Sequence, residues 1–247
     1  MSGRVLCVAR EQEAMLDCLR RHGRRGMRFL HVDRHCDMRG WVVDRAGRRG
    51  GWLHGSGAID SGNVLAHAVA EGWIERVDWL HEPDAGREDD LGTFLTVEES
   101  GRWPWRLMGS SGPAEWRPFE LSEWNDPSAL NRWSGEGLGL DWDHFAPFPC
   151  SERAARRRMQ EFLDALPRPW PELVFLCASP GYASAHLGLF DELVRAVHSL
   201  QGGKLEREES VWGGPCGAHA LGRALTATRN LARAAAVGCK RLALGPG

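Results

Sequence analysis

One short motif concentrates side chains that can bind a metal ion. The stretch HVDRHCD at residues 31–37 closes an apolar run and places Asp33, His35 and Asp37 at alternating positions. In an extended chain every second side chain points the same way, so we expect these three groups to converge on one point. His31 is assigned to the strand itself.

A second acidic motif, DWD, supplies Asp141 and Asp143. Four carboxylates and one imidazole suit Mn²⁺ or a similar octahedral ion better than Zn²⁺. Carboxylates also bridge ions, so this set could hold two ions about 3.5–4 Å apart with a shared hydroxide between them. Taken singly, each acid could instead cap a helix or form a loop ion pair. Both motifs together favour a metal site.

The elements that must position these motifs alternate between strands and helices. Strands are predicted at 4–9, 27–33, 74–82, 137–145 and 171–179, and helices at 11–23, 61–72, 152–166 and 186–200. This alternation predicts a three-layer α/β fold with a central, mainly parallel sheet. Ligands bind beyond the carboxyl ends of the strands in such sheets, and both acidic motifs lie at such ends.

The remaining segments are less regular. We expect a Gly-rich loop at 39–57, an irregular insertion at about 84–137, a helix at 220–237 and a last strand at 240–244. Five tryptophans of the polar middle region could form a binding rim: Trp103, Trp105, Trp116, Trp124 and Trp133. The chain is expected to form a single domain over residues 1–247.

Composition excludes several classes of protein. The 247 residues carry a net charge of −2, which gives no general attraction for nucleic acid. No apolar run approaches the roughly 20 residues that span a bilayer, and no secretory signal is seen, so we expect a cytoplasmic location. Seven scattered cysteines without a CxxC pair argue against a disulfide framework and a zinc ribbon.

Three stretches of the chain resemble a known family. HVDRHCDM and LGLDWDHFAPF resemble the two metal-binding signatures of the ureohydrolases (arginase, agmatinase), and SGNVLAHAV resembles the stretch that follows the first signature. Within that superfamily the sequence is most similar to the atypical peptide arginase-like group of ribosomal peptide biosynthesis, which also has an SPGY-like segment, here Ser179 to Tyr182. The resemblance covers roughly residues 4–83 and 138–200.

The resemblance implies a set of metal ligands. Asp33 and Asp141 would bridge two Mn²⁺ ions, Asp37 would complete one site, and His35 and Asp143 would complete the other. The family's first ligand is a histidine after the first strand. Here the matching stretch, AREQEAM, has Glu11 at about that position. If Glu11 is a ligand, the site is more negative and its bound water less acidic.

The resemblance also implies a reaction, the hydrolysis of the arginine guanidinium group in a precursor peptide to ornithine and urea. An acid must protonate the leaving amine, and His67 or His54 could do so, although a lone helical histidine is often structural. Asn63 could orient the substrate or cap its helix.

A carboxylate is also needed to pair with the guanidinium group. The candidates are Glu206, Glu208 and Glu209, which could equally form a solvated acidic run.

Two other functions remain open. The same fold could hydrolyse free arginine, agmatine or an acylated amine, the last with a single Zn²⁺ on His35, Asp141 and either Asp33 or Asp37. Alternatively, the chain could be a metal-stabilised peptide-binding protein that lost catalysis when Glu11 took the place of the histidine.

Overall fold

The computed structural model describes residues 3–38, 41–43, 49–52, 59–81, 95–96, 116–180, 182–184 and 186–207. The strands are β1 Val5–Ala9, β2 Met27–Val32, β3 Trp41–Val43, β4 Arg49–Trp52, β5 Ile74–Leu80, β6 Leu95–Thr96, β7 Trp116–Pro118, β8 Glu120–Trp124, β9 Gly137–Asp141, β10 Leu173–Cys177 and β11 Lys204–Arg207. The helices are α1 Ala14–His22, α2 Val64–Ala70, α3 Trp142–Phe145, α4 Glu152–Ala165 and α5 Leu187–Gln201, with a 3₁₀ helix at Pro127–Arg132.

Seven strands form a central sheet in the order β11-β1-β10-β9-β2-β5-β8, and every neighbouring pair is parallel. The inner strands β1, β10 and β9 are buried at every residue, as expected when helices cover both faces of a parallel sheet. The predicted α/β fold with a central parallel sheet is therefore confirmed.

One face of the sheet packs against α1 and α2. The apolar side chains that meet there include Cys7, Met15, Phe29, Val77 and Phe175. Phe29 occupies the space above the two glycines of β9, since a Cβ atom on Gly139 would lie 2.9 Å from the Phe29 ring. The glycines of GLGLD therefore make room for an aromatic side chain from the neighbouring strand.

The opposite face packs against α5, and α4 contacts α5. Alternation along the strands directs Leu6 and Val8 away from α1, and α5 contacts β1 on that side. Edge-to-face ring contacts join Trp142 to Phe190 of α5. These two helical layers and the sheet between them form the predicted three-layer architecture.

Two segments differ from the sequence-based expectation. The predicted loop at 39–57 contains the antiparallel pair β3 and β4, which belongs to a second sheet in the order β6-β3-β4-β7. The predicted irregular insertion at 84–137 contains β8, which pairs with β5 as an edge of the central sheet. In both segments strands pair with partners that are distant in sequence, β3 with β6, β4 with β7 and β8 with β5, and a local pattern does not reveal such pairing.

The C-terminal expectations fall on undescribed residues. Chain contacts divide the protein into the units Met1–Val211 and Trp212–Gly247, and all described residues belong to the first unit. The helix predicted at 220–237 and the strand at 240–244 lie outside the described residues, and the single domain stays a prediction. Among the described helices, none combines the length and the apolar character needed to cross a bilayer.

Candidate metal centre

The loop after β2 carries the first motif. The chain bends here instead of continuing as a strand, because Asp33 Oδ1 accepts a hydrogen bond from the backbone N–H of His35 at 2.8 Å. Trp79 Nε1 donates to the Asp33 carbonyl at 3.0 Å and holds the bend against β5. The predicted convergence therefore arises from a turn, and the extended path expected from the alternation ends at Val32.

The loop ends in a second unusual conformation at Asp37. This residue has a positive φ of 51°, which a non-glycine residue adopts rarely. Its carbonyl accepts the backbone N–H groups of Leu65 and Ala66 at 3.1 and 3.2 Å, so the first turn of α2 fixes the loop. Backbone strain of this kind is stored where surrounding structure holds it in place, often at functional sites.

The second motif lies beside the first. β9 pairs with β2, with Leu140 opposite Val32, so the acids that follow the two strands meet at one edge of the sheet. Asp141 Oδ1 accepts the backbone N–H of Asp143 at 3.0 Å and begins α3. Its Oδ2 accepts a hydrogen bond from the Ser179 hydroxyl.

Two groups of possible metal ligands result, and they share one residue. His31, Asp33 and Asp37 form the first group, and Asp33, His35 and Asp143 form the second. Within each group the ligand atoms lie within 4.8 Å of one another. Asp33 belongs to both groups, as a carboxylate that bridges two ions must.

Short contacts define the geometry of each group. His31 Nε2 lies 3.5 Å from Asp33 Oδ2 and 3.5 Å from Asp37 Oδ2. His35 Nδ1 lies 3.1 Å from Asp143 Oδ2 and 3.5 Å from Asp33 Oδ1. Both histidines thus bring a ring nitrogen between two carboxylates.

Burial makes the charges of this cluster strongly interdependent. Burial, reinforced by the charge of Asp143, raises the pKa of Asp33 and of Asp141 well above the usual range. Burial also opposes the charged form of His35, but hydrogen bonds to Asp143 and Asp33 outweigh it and raise the pKa of His35. Burial opposes ionisation of Asp143 as well, and the contact with His35 overcomes it and lowers the pKa of Asp143.

These residues fit a divalent cation. Asp143 Oδ1 is buried and has no hydrogen-bond partner among the described residues, a costly state for a carboxylate oxygen. A cation would supply that partner and offset both the burial and the repulsion that raise the pKa values of Asp33 and Asp141. The donors are mainly hard oxygens with two imidazoles, which suits Mn²⁺-like ions.

His31 is the site residue that the sequence-based assignment missed. His31 does lie in β2, as predicted, and its side chain is 0% exposed and lies between Asp33 and Asp37. The sequence contains the signal, since the alternation of HxDxHxD begins at His31 itself. A residue near the end of a strand can belong to the strand and still contribute its side chain to a site at the strand end.

Residues of the SPGY segment complete the surroundings of the cluster. Ser179, with a positive φ of 39°, binds Asp141 and also contacts the buried thiol of Cys177 at 3.2 Å. The ring of Tyr182 packs edge-on against His35, with 5.6 Å between ring centroids. Ser179 therefore positions one acid, and the partly exposed Tyr182 borders the accessible side of His35.

Glu11 is not brought into the cluster. Its side chain is 53% exposed and forms an ion pair with Arg10 at 2.9 Å. The neighbouring Gln12 is the buried residue of this loop, at 1% exposure, and neither of its amide atoms has a hydrogen-bond partner among the described residues. Ligation by Glu11 stays a prediction that requires its side chain to turn inward.

The two residues predicted to assist catalysis lie on or beside α2. Asn63 precedes the helix without capping it through its side chain; its Oδ1 accepts the backbone N–H of Asp60 at 2.9 Å. His67 has Glu71, Arg20 and Asp60 as its charged neighbours, and burial lowers its pKa. None of these neighbours belongs to the metal cluster, so the structure does not bring His67 to it.

The predicted carboxylate for guanidinium pairing is engaged elsewhere. Glu206 contacts Lys204 Nζ and His22 Nε2 at 2.8 Å each, and these contacts lower its pKa to about 2. Glu208, Glu209 and His54 lie outside the described residues.

The structure describes the side chains of only two of the five tryptophans predicted to form a rim. Trp133 is buried, and its Nε1 donates to Asp78 at 2.9 Å, so it belongs to the interior and its assignment to a rim was wrong. Trp124 is half-buried at the end of β8. Trp103 and Trp105 and the side chain of Trp116 lie outside the described part of the chain.

Comparisons with known proteins find only remote structural similarity. No family model matches the chain, and no curated protein matches it. Among solved structures, it is similar to proclavaminate amidino hydrolase from Streptomyces clavuligerus, with 15% sequence identity, a TM-score of 0.40, and coverage of 80% of this chain and 63% of that chain.

Two further structures are similar to the same degree. A T. brucei arginase-like protein, a triple mutant bound with Mn²⁺, has 10% identity, a TM-score of 0.37 and coverage of 81% and 61% of the two chains. Arginase from Medicago truncatula has 11% identity, a TM-score of 0.38 and coverage of 80% and 58%. The chain thus spans about three fifths of the length of these structures. Likeness at this level identifies neither the reaction nor the substrate of this chain.

Proposed function

We propose that this protein is a metal-dependent hydrolase of the ureohydrolase type, which converts arginine side chains of a precursor peptide to ornithine and releases urea. The observation that carries the proposal is the pair of ligand groups sharing Asp33 at the carboxyl ends of β2 and β9. The reaction adds one water to the guanidinium group. The bond between the guanidinium carbon and the side-chain nitrogen breaks, giving urea and a protonated amine.

Residues of the cluster would hold two Mn²⁺ ions, with Asp33 common to both, Asp37 and His31 at one, and His35 and Asp143 at the other. When bound, such ions polarise a substrate and lower the pKa of water, so that a nucleophile is available at neutral pH. Ser179 keeps Asp141 oriented through its hydroxyl, and Asp141 is proposed as the second bridging carboxylate. We assign His67 no role in proton transfer.

The accessible side of the cluster supports an extended substrate. His35 and Tyr182 are both partly exposed there, and Pro147 pairs with Ala183 next to them. Phe148, which follows Pro147, is 75% exposed. Exposed aromatic side chains at the mouth of a site are suited to bind a peptide through apolar contacts.

Arginine-containing peptides provide the direct test. The Mn²⁺-loaded protein would be incubated with a set of peptides bearing internal arginine, with free arginine and with agmatine. Urea would be measured together with ornithine in the peptide. We expect both products from peptides and neither from free arginine. Urea formation from free arginine or agmatine alone would instead support the small-substrate alternative.

A specific observation favours keeping a second candidate, the metal-stabilised peptide-binding protein. The carboxylate of Glu11 lies at the surface, so the position of the family's first ligand is not filled by that side chain. Bound Mn²⁺ without urea from any guanidine would support the binding protein and reject both arginase functions. Replacing Glu11→His would then be expected to increase metal affinity if this position faces the ions.

A further inference from the structure

A second cluster of possible metal ligands lies on the edge strand β11, its neighbour β1 and the helix α1. Cys7 of β1 and Glu206 of β11 are register partners on parallel strands, so their side chains point to the same face. That face packs against α1, because Cys7 belongs to the apolar cluster that α1 covers. The strands β11 and β1 are separated from β9 and β2 of the metal centre by β10.

Helix α1 contributes two more possible ligands. Cys18 and His22 are four residues apart on α1 and therefore lie on the same side of the helix. Cys18 is joined to Cys7 in a disulfide, a bond that the scattered cysteine pattern did not predict. Possible ligand atoms of Cys7, His22 and Glu206 lie within 4.8 Å of one another.

We propose that Cys7, Cys18, His22 and Glu206 form a structural Zn²⁺ site when the disulfide is reduced. Two thiolates, one imidazole and one carboxylate are a ligand set that zinc accepts in tetrahedral sites. The ligands come from β1, α1 and β11, so the ion would connect the edge strand of the sheet to its covering helix.

Reduction of the Cys7–Cys18 disulfide requires two electrons and two protons, which a dithiol can supply. One dithiol molecule donates two electrons and two protons to the Cys7–Cys18 disulfide, giving two thiols and an oxidised, cyclic disulfide of the reductant. Zn²⁺ then displaces the two thiol protons as the thiolates bind. The oxidised chain keeps a covalent link between β1 and α1, and the reduced chain would replace it with a coordinated ion.

Basic side chains next to Glu206 favour this set of ligands. Two thiolates and one carboxylate around Zn²⁺ leave one net negative charge. Lys204 Nζ lies 2.8 Å from Glu206 Oε1, and Arg21 Nη1 lies 3.5 Å from Oε2. Outer contacts of this kind orient a ligand carboxylate and offset the excess charge.

Cobalt substitution would test the proposal separately from the metal centre. The full chain would be reduced by dithiothreitol, which is then removed without oxygen, and titrated with Co²⁺. We expect a thiolate-to-cobalt charge-transfer band that is displaced by Zn²⁺. The oxidised protein should show no such band. Co²⁺ bound at the metal centre would give no thiolate band, because the proposed ligands there are oxygen and nitrogen atoms, so this readout does not depend on the metal centre or on urea formation.

Matched variants assign the ligands. Cys18→Ser leaves one thiolate, Cys7, and should weaken cobalt binding and lower the intensity of the band, whereas Cys36→Ser, in the loop of the metal centre, and Cys150→Ser should keep the wild-type band. His22→Ala and Glu206→Gln should each weaken zinc binding by about tenfold or more, since loss of a ligand exceeds loss of an outer contact. Absence of the band from the reduced wild type, or a band of wild-type intensity and affinity in Cys18→Ser, would overturn the proposal.

Discussion

Asp33 and Asp143 differ in the number of candidate ligand groups to which they belong. Asp33 belongs to both ligand groups and Asp143 to one. We therefore expect Asp33→Asn to weaken binding of both Mn²⁺ ions and Asp143→Asn to weaken one, each by more than about tenfold. Metal analysis after dialysis would give the number of ions retained.

A surface acid provides the control for this pair. Asp126 is exposed, precedes the 3₁₀ helix, accepts hydrogen bonds from Ser128 and belongs to neither ligand group, so Asp126→Asn should retain the wild-type number of ions. If Asp33→Asn and Asp143→Asn lost the same number of ions, Asp33 would not be a shared ligand.

At the scale of elements, the contact between β2 and β9 depends on glycine. A Cβ atom on Gly139 would lie within 3.0 Å of two Phe29 ring atoms, and Phe29 is fully buried. We expect Gly139→Ala to lower the free energy of unfolding by about 1–3 kcal/mol, the usual cost of overpacking a core. Denaturant titration would measure it.

Gly188 in the first turn of α5 is the matched control. A Cβ atom there would meet nothing within 4 Å, and alanine favours a helix over glycine by up to about 1 kcal/mol. Gly188→Ala should therefore leave stability unchanged or raise it. Equal destabilisation by both alanines would show that close packing against Phe29 is not the cause.

The link between α1 and the end of α2 should depend on pH. Arg20 binds both carboxylate oxygens of Glu71, and Trp73 Nε1 donates to the same group. These contacts, the Arg20 hydrogen bond foremost, lower the pKa of Glu71 from its usual 4.5. A lowered pKa means that the stabilisation is complete above pH 4.5 and is lost as pH falls through the folded-state pKa.

Glu71→Gln should thus reduce stability near neutral pH by about 0.5–1 kcal/mol, the range of partly exposed ion pairs. The difference from wild type should shrink as the pH falls below 4.5. Thermal unfolding at several pH values would show this convergence. Glu161→Gln, which removes an exposed pair with Arg157 on α4, should have little effect at neutral pH. A Glu71→Gln difference that grew with acidification would contradict the assignment.

For the whole molecule, metal binding should couple to stability. An ion that binds the folded chain alone stabilises it by about 2.7 kcal/mol at a concentration one hundred times its Kd. For a chain of this size we expect Mn²⁺ to raise the melting temperature by about 5–10 °C, and EDTA to reverse the change. Asp33→Asn should lose most of this response. Identical melting curves with Mn²⁺ and EDTA would argue against a resident metal.

The order of strands and helices and the position of the acidic motifs at strand ends can be predicted from the residue pattern. Short apolar runs alternate with segments whose apolar residues have helical spacing, and these form β1, α1, β2, α2 and β5. The motifs at Asp33 and Asp141 follow strands, and parallel pairing brings strand ends together whatever the details of the loops. The structure places Asp33 with Asp37 in one ligand group and with His35 and Asp143 in the other, and Asp141 contacts the backbone of Asp143. Metal binding by these residues stays a prediction.

Which other residues lie close to these acids depends on packing between segments that are distant in sequence. His31 enters because the bend at Asp33 folds the loop back over the end of its own strand. Glu11 remains at the surface, while His67 lies among the charges of α1 and α2. Likewise, β8 and β11 became sheet edges through pairing with strands distant in sequence. Such outcomes depend on long-range packing and loop turns, whereas a residue pattern specifies only local period and burial.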